Sequence, residues 1–132
     1  MPAPADGPRS PKPDEPDADL PPLIKRYTEA ATAYALATET NDHARVFAAR
    51  DEVAAVYREL RGKGIRAQRA LLPLLEHAEM GVRAWAGVHA LEFSPGDGER
   101  VLTEVGDTPQ STLAFTVRVT LEQWREGRLK LP

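Results

Sequence analysis

A chain of 132 residues, 28% of them charged and none of them cysteine, has the size of one domain that buries a core without a metal or disulfide staple. The missing cysteines exclude disulfides, thiolate zinc sites and a cysteine nucleophile and suit a reducing, cytoplasmic setting; no apolar leader opens the chain, and no run approaches the ~18 apolar residues of a membrane span. The formal net charge of −3 is carried by the first 22 residues, where Asp6, Asp14, Glu15, Asp17 and Asp19 outnumber Arg9 and Lys12, so the neutral remainder exerts no global attraction on nucleic acid or an anionic membrane.

Residues 1–22 hold 8 of the 12 prolines and, before Leu20, no large apolar residue beyond Met1. Such a segment cannot offset its ordering entropy by burial and is expected to be disordered, its Pro8–Pro11 and Pro13–Pro16 spacings being the chance PxxP matches of a proline-rich tail. The folded domain is expected over residues 23–132. Pro21 and Pro22 mark the entry to a first helix whose stripe, Leu23, Tyr27, Ala30, Tyr34 and Ala37, recurs at steps of four and three. Asn41 or Asp42 can cap a second helix that presents Val46, Ala49, Val53, Val56, Tyr57 and Leu60, with Gly62 suited to its left-handed stop. Two amphipathic helices on so short a turn make an antiparallel hairpin.

From Arg66 the helices become shorter and more apolar. Ala70, Leu71, Leu74 and Leu75 form one that ends near His77, with Pro73 forcing a kink or a late start. The stretch from Glu79 to Phe93 is apolar nearly all round, leaving Arg83, Gly87 and Glu92 as solvent positions, and a helix of that kind is a buried one. Ser94-Pro95 and Thr108-Pro109 each read as an N-cap followed by proline. They open a helix with Val101, Leu102 and Val105 and a last one with Leu113, Val117, Leu121 and Trp124, which ends at Glu126-Gly127.

Residues 67–93 can be laid on 98–124 with an offset of 31, which sets Val82, Ala86, Ala90 and Phe93 on Leu113, Val117, Leu121 and Trp124 as equivalent core positions. The run from Arg69 to Leu91, RALLPLLEHAEMGVRAWAGVHAL, resembles a HEAT repeat, with Glu79 in the turn where such units carry Asp or Asn. More narrowly, residues 41–128 are similar to a bacterial family of small HEAT-like proteins of unknown function, DUF twenty-nineteen. The pieces that carry the likeness are Arg58–Leu60, Leu71–His77, Val82–Ala86, His89–Leu91 and Trp124–Leu129. The resemblance implies an all-α, right-handed stack of about six helices and no established activity. It also implies an interaction role of the kind held by immunity or adaptor proteins that bind a toxin or another protein.

No side-chain set converges on catalysis or calls for a cofactor. His43, His77 and His89 lack metal-ligand spacing, and His89 reads as a core histidine bonded to a carbonyl, while His77 at a helix end suits a cation. Ser10, Ser94 and Ser111 have no nucleophile elbow, and Gly96–Gly98 lacks the lysine of a phosphate loop. Non-enzymatic protein binding is the first expectation. If second helices line the concave surface, as in HEAT-like units, the partner-binding residues are Arg83, Glu92, Arg118, Glu122 and Arg125. The alternative is nucleic-acid binding through the basic hinge of Arg58, Arg61, Lys63, Arg66 and Arg69, although no aromatic residues interleave with it to stack bases.

Overall fold

A computed structural model describes residues 18–131. They form α1 (Leu20–Glu39), α2 (His43–Lys63), α3 (Ile65–Arg69), a 3-10 turn (Leu72–Glu76), α4 (Met80–Phe93), α5 (Pro95–Gly106) and α6 (Thr112–Arg125), with no strand among the described residues. None of these helices is long and apolar enough to cross a membrane. Most of the expected disordered tail, with its PxxP spacings, lies outside the described residues. Its last part does not fit that expectation: residues 20–22 are helical, because Pro21 and Pro22 sit in the first turn of α1, where a missing N–H costs nothing.

α1 and α2 form the expected hairpin, burying Leu23, Tyr27 and Ala31 of one with Val53, Val56, Tyr57 and Leu60 of the other. At the turn the Asp42 carboxylate accepts from the Arg45 N–H at 3.2 Å, and Asn41 takes the left-handed conformation at φ 59°. α2 runs past Gly62 to Lys63. The left-handed position is Gly64, at φ 107°, where the chain swings into α3. Pro73 splits the next expected helix in two: α3 stops at Arg69 and the chain restarts as a 3-10 turn with proline in its first turn.

α4 touches α1, α3, the 3-10 turn, α5 and α6, as a helix without a polar side must. Gly87, expected to face solvent, is buried instead. A Cβ built there would lie 3.0 Å from Leu102, and one on Gly98 would lie 2.7 Å from the Gly87 carbonyl oxygen, so α4 and α5 meet nearly backbone to backbone. The offset of 31 holds for the second helices: Val82, Ala86 and Ala90 are buried, as are Leu113, Val117 and Leu121. Phe93 and Trp124, expected in the core, are both half-buried and pack on its edge, since each stands at the last turn of its helix.

The caps after α4 also differ from expectation. The Ser94 hydroxyl donates to the Asp97 carboxylate at 2.7 Å and caps no backbone N–H. α6 opens at Ser111, whose Oγ accepts from the Ala114 N–H, and Thr108-Pro109 stays in the connecting turn with Gln110 at φ 57°. A second anchor comes from far away. Glu39, the last residue of α1, accepts from the Ser111 hydroxyl at 2.9 Å and from the Thr112 and Leu113 N–H groups at 3.3 and 2.8 Å. The Leu113 N–H, foremost, holds this carboxyl below its ordinary value, as an anion at a helix N-terminus should be held.

The glycine contacts predict opposite effects for one chemical change. Gly98→Ala should lower stability by roughly 1–3 kcal/mol through overpacking, whereas Gly62→Ala, in the last turn of α2 with open space around it, should raise it by up to about 1 kcal/mol. Urea unfolding midpoints measure both. A Gly98→Ala variant as stable as the parent would show that α4 and α5 are not in backbone contact.

Candidate functional site

Three aromatic side chains and one imidazole meet where α1, α2 and α4 converge. Tyr27, Tyr57 and His89 are each 0% exposed. The His89 ring lies parallel to Tyr57, with centroids 3.8 Å apart and planes 5° from coincident, and Trp85 covers it at 5.5 Å. His89 Nδ1 is 2.6 Å from the Tyr27 hydroxyl, so the expected carbonyl partner is replaced by a phenol one helix away. With Tyr27 donating, only the Nε2 proton is left without a partner; in the other tautomer both the phenol proton and the Nε2 lone pair would be. The first arrangement is therefore the favoured one. Burial, with the Arg61 charge adding to it, pushes the imidazole down to about 3, and burial likewise raises Tyr27 well above its ordinary value.

The far side of Tyr57 carries the charge. Its hydroxyl donates to Glu92 at 2.5 Å, Gln68 donates to both at 3.0 and 3.1 Å, and Arg61 grips the Glu92 carboxylate through two bonds of 3.0 Å. Burial alone would raise Glu92, but the bonds from Tyr57 and Arg61 outweigh it and the carboxyl ends below its ordinary value. Burial and the bond to Glu92 push Tyr57 up to about 12. The rings of Tyr27, Tyr57 and His89 are closed to solvent, while Glu92 and Arg61 stand at the half-exposed edge of the cluster. It fixes the angle between the hairpin and α4, and its neutral histidine suits that task.

The residues expected to bind a partner are therefore divided. Glu92 and Arg61, assigned to different surfaces by sequence, are bound to each other. Arg83 donates to the His77 and Ala78 carbonyls at 2.6 and 3.0 Å and ties down the turn before α4. The His77 Nδ1 accepts from the Glu79 N–H at 3.0 Å, so His77 serves that turn through a lone pair, and the cation expected there is not what holds it. Arg118 donates to the Gly106 carbonyl at the end of α5, and Arg125 pairs with Glu99 at 2.8 Å. In the hinge, Lys63 pairs with Asp19, while Arg58, Arg66 and Arg69 make no ion pair among the described residues.

Arg118, Glu122 and Arg125 nevertheless share one face of α6, and two residues missed by sequence stand among them. At about 100° per residue, Phe115 and Val119 fall within the same stripe, 59% and 38% exposed, with the Arg118 guanidinium 5.7 Å from the Phe115 ring centre. An apolar pair at i, i+4 lying off the Leu113–Val117–Leu121 stripe was the available signal.

On the opposite side of α6 lies a groove of about 450 Å³, walled by α2, α4 and α6 and by Leu129 to Leu131. Tyr34 and Trp85, packed edge to face at 5.2 Å, belong to its lining. A second hollow of about 610 Å³ runs along α1 and α2, and its two cations are paired: Arg26 with Glu52 and Glu59, Arg45 with Asp42. Among the described residues, no cluster of three His, Cys, Asp or Glu side chains could hold a metal ion.

The histidine makes the fold sensitive to acid in a defined window. Below pH 6.5 an unfolded chain takes up a proton at this residue, while the folded chain refuses it until about pH 3, so stability that is whole above 6.5 drains away as pH falls. Between pH 6.5 and 5.5, above the range in which carboxylates titrate, the loss should be about 1 kcal/mol. Urea unfolding across that range measures it. A His89→Gln variant should lose most of the slope, and an unchanged slope would mean that His89 is not the group responsible.

No family model, no curated protein and no solved structure matches the chain.

Proposed function

We propose that the chain is a protein-interaction module, a right-handed HEAT-like stack that engages a protein partner through the outward face of α6, in the manner of an immunity or adaptor protein. One observation carries this reading: Phe115 and Val119 are exposed on a helix that already buries its own apolar stripe. Large apolar groups left outside a satisfied core are informative in a way that single exposed leucines are not. Around them Arg118, Glu122 and Arg125 supply a charged rim, and an apolar centre with a polar rim is the ordinary anatomy of a protein interface. Arg118 and Arg125 are pre-ordered by their bonds to Gly106 and Glu99, which reduces the side-chain entropy lost on binding.

Charge reversal of the two arginines would disturb those internal bonds, so the apolar pair is the cleaner probe. The double change Phe115→Ser and Val119→Ser should leave the unfolding midpoint within about 0.5 kcal/mol of the parent, as surface changes do. It should also weaken capture of a protein partner by 2 kcal/mol or more, roughly thirtyfold. Side-by-side affinity capture from the native host, with quantitative recovery of each bound protein, reads this directly. A partner recovered equally by parent and variant would exclude the α6 face.

A second reading rests on Arg58, Arg66 and Arg69, which have no acidic partner among the described residues and keep the basic hinge available to an anion such as nucleic acid. With Arg61 committed to Glu92, that patch is weak. A mixed-sequence duplex titrated at two salt concentrations should bind no tighter than roughly 10⁻⁴ M at physiological salt. Micromolar binding that falls steeply with salt, and is lost on changing the three arginines to alanine, would favour the hinge over α6.

A further inference from the structure

We infer that the groove between α2, α4 and α6 is a binding site for an apolar monocarboxylate, such as a medium-chain fatty acid. The volume of about 450 Å³ is within the range of small-molecule sites, which runs from ~300 to 1,000 Å³. Its interior is built from Trp85, Val88, Leu113 and Val117, with Tyr34 at one side. The hydroxyls of Thr116 and Thr120 in the wall donate to the carbonyls of Thr112 and Thr116 in their own helix at 3.1 and 3.0 Å, so those two protons are already used. The body of the ligand meets a lining made mostly of apolar side chains.

The rim is different. Arg50 and Lys130 stand there without an ion pair among the described residues, whereas both cations of the α1–α2 hollow, Arg26 and Arg45, are paired with acids. Arg50 is held in place by its own side of α2, its guanidinium lying 4.9 Å from the Phe47 ring centre. Asp51 is the one acid on the rim, and as the next residue in the helix it points away from Arg50. Two cations against one anion leave a single positive charge at the mouth of an apolar cavity. A chain or ring carrying one carboxylate matches both parts, its tail on Trp85 and Val88 and its head between Arg50 and Lys130. A cationic head group would be repelled by the same charge.

This site does not depend on the partner-binding role proposed for α6. Phe115 and Val119 face away from the groove on the opposite side of that helix. The test is calorimetric titration of the full chain at low ionic strength with sodium decanoate and with decanol, both below the concentrations at which they aggregate. A merely greasy cavity prefers the alcohol, since its head group is easier to strip of water. The site inferred here should prefer decanoate by about fivefold or more, with the preference shrinking as salt is added. Arg50 and Lys130 are exposed, so the double change to glutamine leaves the fold intact; it should bring decanoate down to the level of decanol. Ala54→Phe, which fills the groove from α2, should weaken both ligands, and Phe115→Ser with Val119→Ser should weaken neither. The inference is overturned by a preference for decanol, by a decanoate affinity that ignores the Arg50 and Lys130 changes, or by no binding of decanoate up to about 1 mM.

Discussion

An α-helix with almost no polar side has to be wrapped, and in this protein that requirement falls on α4. Its backbone hydrogen bonds are internal, so the helix can be surrounded at no polar cost except at its ends and at the few polar side chains it carries. Small residues set how closely the neighbours approach: glycines at 87 and 98 let α5 come nearly into backbone contact. The larger ones set direction, since the hairpin must lie where Tyr27 and Tyr57 can close on His89. Remove the apolar character of α4 and the other helices lose their common neighbour.

The polar groups on this helix are handled by distance from solvent. His89 is sealed and kept neutral, with a phenol to accept from. Glu92, three residues on and at the edge, is kept charged by Arg61 and Tyr57. Tyr57 joins the two regimes, one ring face stacked on the imidazole and its hydroxyl bound to the carboxylate. A single side chain thus separates a dry, uncharged interior from a wet, charged rim about one helical turn away.

Periodicity made the helices legible because it is local: the stripe of Leu23, Tyr27, Ala30 and Ala37, or of Val82, Ala86 and Ala90, is read from steps of three and four along one segment. Which stripes face each other is a long-range matter, so Glu92 and Arg61 were divided between two supposed surfaces when they form one ion pair. Caps were legible in part for a related reason. Ser94-Pro95 opens α5 as expected, whereas α6 opens at Ser111 instead of Thr108-Pro109, and there the Glu39 carboxylate reaches the backbone at Thr112 and Leu113 from another helix. Phe115 and Val119 were passed over because a core stripe had already been found on α6. The groove could not be foreseen at all, since its walls come from three helices and a terminal segment.

The bond from Glu39 to the start of α6 closes a loop of more than seventy residues. On a ribosome, α1 emerges first, and its terminal carboxylate has to wait through the synthesis of every intervening helix before its partner exists. Closing so long a loop costs entropy that the hairpin of α1 and α2 never meets. The hairpin can therefore form early and alone, while α6 is the element whose docking reports that all the others are in place. Assembly of this fold has a built-in direction, and Glu39 stands at both ends of it.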